Sequence, residues 1–148
     1  MQLRATLLAG LAVASLVAAA PADKAVIVNS GSTNSMGYSI SVSSDGKASA
    51  TMQSRGAGTA SAAKPFALSA ATTSRFFADL AAARKANLAT VPCMKSASFG
   101  TTTHIHWQGW VSPDLSCPPK DPAGEALVKD IDAIRQAAGI SEMPMRQP

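Results

Sequence analysis

Tyr38-Ser39-Ile40-Ser41-Val42-Ser43-Ser44-Asp45-Gly46-Lys47-Ala48-Ser49-Ala50-Thr51-Met52 is the stretch that decides the fold. Tyr38, Ile40 and Val42 alternate with Ser39, Ser41 and Ser43, and Ala48, Ala50 and Met52 alternate with Ser49 and Thr51 beyond Asp45-Gly46. A period of two on both sides of a turn signal reads as a β-hairpin with one buried face. Parity then selects the turn. A two-residue Asp45-Gly46 loop would oppose Val42 to Ser49 and Ile40 to Thr51, mixing the faces. A three-residue loop, Ser44 to Gly46, opposes Val42 to Ala48, Ile40 to Ala50 and Tyr38 to Met52, so every apolar side chain lies on one side and Gly46 takes the left-handed position.

Working outward, Ala25 to Val28 reads as a short strand, of edge type, ending in the turn chemistry of Asn29-Ser30-Gly31-Ser32. Ser54 to Lys64 is rich in Gly, Ala and Ser and reads as a flexible connection before Pro65-Phe66. A helix follows, capped by Ser69 or Thr72 and ending near Asn87, with Phe76, Leu80 and Ala83 on one face, Phe77 beside them, and Arg75 and Asp79 on the outer side. Ser96 to Val111 gives one or two strands with bends at Gly100 and Gly109, and the prolines at 113, 118 and 119 take the chain out of the ladder. Asp121 caps and Pro122 starts a second helix, whose Leu127, Ile131, Ile134 and Ala138 share a face; Gly139 stops it, with Ile140 turned back onto Ile134. The tail 141–148 is expected to be loose. The order of elements predicts an α+β fold: an antiparallel sheet of about four to five strands with two helices packed on one face and one disulfide.

Residues 1–22 read as a signal peptide, with a basic start at Arg4, an apolar run from Leu7 to Ala20 and the small-x-small site Ala20-Pro21-Ala22. The run is shorter than the roughly 20 apolar residues of a membrane span, so no span is expected after cleavage. The expected localisation is export, periplasmic or secreted, with residues 23–140 as a single domain. Removing Arg4 and no acid leaves twelve basic against nine acidic residues, a net charge of +3. These basic residues are scattered, without the stripe that nucleic-acid binding requires. Cys93 and Cys117 are the two cysteines of the chain. In an oxidising compartment they are expected to form a disulfide. A reactive thiol, with Lys95 as the local activating group, is the competing reading.

Gly37 to Lys47, Phe76 to Leu88 and Ala126 to Ile134 together resemble a group of small exported bacterial domains of uncharacterised function, in which a Tyr-x-Ile/Val-x-Val-x-x-Asp-Gly hairpin precedes a Phe/Leu-rich helix and a Leu-x-x-x-Ile helix. The resemblance covers about half the chain by pattern and implies fold and export, with no chemistry attached.

The two histidines of the chain, His104 and His106, project from the same side of a strand, and two imidazoles at that spacing can share one zinc or copper ion. Asp114 and Asp121 are the nearby candidates for a third ligand; without one, the pair reads as a polar strand face turned to solvent or to a partner. No Gly-x-Ser-x-Gly elbow supports a small hydrolase, and Asp130 and Asp132 read as solvated helix positions. Trp110 and Tyr38, together with Pro113 and Asp114 in the stapled proline-rich loop, are the candidate binding surface, while Trp107 is assigned to the core. The sequence therefore points to an exported, non-enzymatic binding or interaction module for a protein or envelope component, without a catalytic set or an obligatory cofactor. A metal-binding protein using His104 and His106 is the alternative, and a hydrolase the third reading.

Overall fold

The computed structural model describes residues 22–53, 59–96, 98–117 and 119–140. The leader reading (1–22), apart from Ala22, and the tail reading (141–148) fall outside these residues, as does the first part of the Gly/Ala/Ser connection.

The hairpin forms as its alternation dictates. β2 (Tyr38–Ser43) and β3 (Lys47–Met52) pair antiparallel with Val42 opposite Ala48, Ile40 opposite Ala50 and Tyr38 opposite Met52. Gly46 turns at φ +85°, a conformation in which a Cβ would collide with the following carbonyl. β1 (Lys24–Asn29) lies between β2 and β5 (Thr103–Trp107), so it is a central strand and not an edge. Its Ala25 and Ile27 are fully buried; the chain returns late in sequence to cover its second side, which no local pattern announces.

Among the described residues the sheet has six strands in the order β4-β3-β2-β1-β5-β6, more than the four to five expected. The additional edge is β4 (Lys64–Ala67), at the end of the segment read as a connection. Pro65 opposes Ser49 there, and proline is tolerated because an edge strand leaves one side of its backbone unpaired. At the opposite edge, β6 (Trp110–Val111) joins β5 through the tight turn Gln108-Gly109, both residues with positive φ.

Helix α1 (Ala70–Ala86) is capped by Ser69, whose hydroxyl accepts the Thr72 N–H at 3.1 Å, and it ends on Asn87 in the left-handed region. Helix α2 (Pro122–Ala137) starts on Asp121, whose carboxylate accepts the Ala123 N–H at 2.8 Å. It stops at Gly139, where the Ile140 N–H reaches the Arg135 carbonyl and the Gly139 N–H the Gln136 carbonyl, the paired bonds of a Schellman stop.

Phe76, Leu80 and Ala83 of α1 and Leu127, Ile131 and Ile134 of α2 join Ile27, Ile40, Val42, Ile105 and Trp107 of the sheet in one hydrophobic cluster. Each fully buried large aliphatic or aromatic side chain contributes about 2 kcal/mol of transfer free energy. Cys93 and Cys117 are disulfide-bonded with Cα atoms 5.5 Å apart, tying the segment after α1 to the segment before α2. Lys95 therefore activates no thiol. Among the described residues no helix is long and apolar enough to cross a membrane.

Candidate functional site

Because the sheet buries Ala25, Ile27, Ile40, Val42, Ile105 and Trp107 beneath the helices, the intervening residues turn to its other face. Register aligns them in rows. One row runs Val111, His106, Val26, Ser41, Ser49 and Pro65; the next runs His104, Val28, Ser39 and Thr51. The eight positions on the four inner strands are half-buried or exposed, and none of them carries an acid, lysine or arginine. Six of the eight are serine, threonine or valine. Six strands at about 4.8 Å spacing make the sheet roughly 24 Å across from first to last.

His104 and His106 lie on this face as their spacing predicts. His104 Nδ1 is 2.9 Å from the Ser112 carbonyl oxygen. A carbonyl only accepts, so Nδ1 carries the proton and donates, leaving Nε2 with the lone pair when the ring is neutral. Among the described residues no group of three or more His, Cys, Asp and Glu side chains converges as metal ligands. Asp114 is committed elsewhere and supplies no third ligand.

Asp114 organises the stapled loop. Its Oδ1 accepts the Thr103 N–H and the Ser116 N–H, each at 3.0 Å, and the Ser116 hydroxyl at 2.7 Å. Its Oδ2 is ion-paired with Lys95, whose ammonium also donates to the Thr101 carbonyl at 2.7 Å. Partial burial works to raise the Asp114 carboxyl. The bonds from Lys95, Ser116 and the two backbone N–H groups outweigh it and hold the group well below the usual carboxylate range. Asp114 is thus internal wiring of the loop and not a presented contact residue.

Tyr38 and Trp110 do not present a shared exposed surface. Tyr38 is 7% exposed and belongs to the core, as its alternation with Ile40 and Val42 requires. Trp110 is partly buried against the same core, and Pro113 is half-buried. Trp107 is core, as assigned: Arg84 lies 5.8 Å over its ring, Phe77 meets it edge-on at 6.4 Å, and its indole N–H donates to Asp23 at 2.8 Å. That last bond anchors the start of the described chain to β5.

Elsewhere, a cleft of about 530 Å³ between the Ser44–Gly46 turn and the start of α1 is lined by Leu68 and Phe77, with Asp45 the one ionisable lining residue among those described. Its carboxylate is paired with Lys47 at 2.7 Å. Asp130, read from sequence as solvated, is 1% exposed and receives a 2.7 Å bond from Arg75 Nε; a helical face count cannot report a partner on another helix.

Compared with protein-family models, curated proteins and solved structures, the chain matches none.

Proposed function

We propose that this protein is an exported, non-enzymatic binding module that contacts a protein or envelope component through the sheet face opposite its helices. The observation that carries the reading is the charge-free centre of that face: Val26, Val28, Ser39, Ser41, Ser49, Thr51, His104 and His106 form it, while Lys24 and Lys47 lie at its rim. Interfaces are depleted of charge at the core and polar at the rim, and charge is distributed that way on this face. Short hydroxyl and valine side chains lose little rotamer freedom when covered, so association there costs little ordering entropy.

Both sheet edges favour face contact over strand addition. β6 is two residues long, and β4 carries Lys64 and Pro65, features that blunt edges against pairing. The Cys93–Cys117 disulfide suits an oxidising compartment. Export then rests on the leader-like residues 1–22 and on the resemblance to small exported bacterial domains.

The test is binding of purified protein to envelope fractions of its own cells, comparing wild type with Ser41→Arg and Ser49→Arg. Saturable binding lost in both variants, with their folding unchanged, supports the reading; equal binding by wild type and variants, or turnover of an envelope substrate, overturns it.

A further inference from the structure

We infer that His104 and His106 form a two-imidazole site for a divalent transition-metal ion, copper(II) foremost. This goes beyond the proposed binding face and does not depend on it. The pair projects from one side of β5 with Cα atoms about 6.6 Å apart, a span that two imidazoles can close onto one ion at bonds of about 2.0 Å. One ligand is already oriented. The Ser112 carbonyl accepts from His104 Nδ1 at 2.9 Å, the outer-shell bond that fixes tautomer and ring direction in metal-ligating histidines and raises the basicity of the free nitrogen.

His104 opposes Val28, and His106 opposes Val26 on one side and Val111 on the other, so its ladder neighbours are valines, with no competing carboxylate or ammonium among them. Beyond Val111 the chain turns at Ser112-Pro113 and β6 ends, so among the described residues His104 has no strand neighbour on that flank. With two protein nitrogens and solvent filling the remaining positions, the donor set falls short of the three or four protein ligands typical of zinc. Copper(II) takes imidazole nitrogens in a tetragonal field and stands highest in the divalent affinity order.

The experiment is a copper(II) titration of the oxidised full chain, in the presence of a weak competing chelator, followed by calorimetry and electron paramagnetic resonance. The expected result is one ion per chain with two equatorial nitrogen donors. His104→Gln keeps an N–H for the Ser112 carbonyl but removes the metal-binding nitrogen. It and His106→Ala should each weaken binding about 10- to 100-fold, at least the loss seen when supporting groups around metal sites are removed. Lys129→Ala, at an exposed position of α2, should leave the copper affinity unchanged, and copper affinity and envelope binding are measured in separate assays, so failure of either proposal is read separately. Wild-type affinity in both histidine variants, or a spectrum without two nitrogen donors, overturns the inference.

Discussion

Arg75 of α1 donates from Nε to Asp130 of α2 at 2.7 Å, joining the two helices through a carboxylate that is 1% exposed. The guanidinium side is 55% exposed, and this asymmetry sets what each deletion costs. Removing Asp130 leaves a solvated cation, whereas removing Arg75 leaves a buried anion without its partner. Arg75→Gln should therefore lower the urea midpoint more than Asp130→Asn. The reverse order would refute the burial argument.

The same pair gives a pH dependence. Burial pushes the Asp130 carboxyl up; Arg75 opposes this, and the neighbouring Asp79 adds to the rise. Asp130 Oδ2 has no hydrogen-bond partner among the described residues. A raised folded value means that the native state binds the proton more tightly, so this contribution is present below pH 3.8 and declines as pH rises through the folded value. Asp130→Asn should flatten that part of the stability profile, measured by urea melts across the acid range.

Asp114 acts in the opposite sense. Its lowered carboxyl contributes stability above pH 3.8 that is lost as pH falls through the depressed folded value. Asp114→Asn should remove acid sensitivity below pH 3.8 and loosen residues 112–117, visible as faster amide exchange at Thr103 and Ser116.

The Cys93–Cys117 clasp closes a sequence separation of 24 residues. In the chain-entropy account a loop of this size contributes about 3 to 4 kcal/mol, a large share of a small domain's margin. Cys93→Ser/Cys117→Ser should lose about that much in chemical denaturation; an unchanged midpoint would show that the clasp is dispensable.

Gly124 sits in the first turn of α2, where a Cβ would stand 2.6 Å from the Pro119 ring carbons and 3.4 Å from Leu88 Cδ1. Alanine gains about 1 kcal/mol in helix propensity, but overpacking against a rigid ring costs about 1–3 kcal/mol. Gly124→Ala is therefore expected to be neutral to destabilising by up to about 2 kcal/mol, and a clear rise in melting temperature would contradict the close approach.

What could be read from the residues was what has a local period. Alternation set the β2–β3 register, the Ser69 and Asp121 caps marked the helix starts, and the step of two placed both histidines on one side. What escaped was set by distant chain. β1 is central only because β5 returns beside it, β4 is four residues long and contains Pro65, and Asp130 meets Arg75 across a sequence separation of 55. Of the site, Asp114 was singled out for its loop, but its role depends on Lys95 and the Thr103 N–H, neither of which has a fixed spacing to it. Tyr38 could have been assigned to the core from its own alternation with Ile40 and Val42.

The sheet-face account is tested most directly by photo-crosslinking in intact cells from single reactive positions, with Ser41 and Ser49 on the sheet face against the exposed Ala82 and Lys129 on the helices. The account predicts a discrete adduct from both serine positions and none from the helix positions. Adducts from the helices with none from the sheet would contradict it.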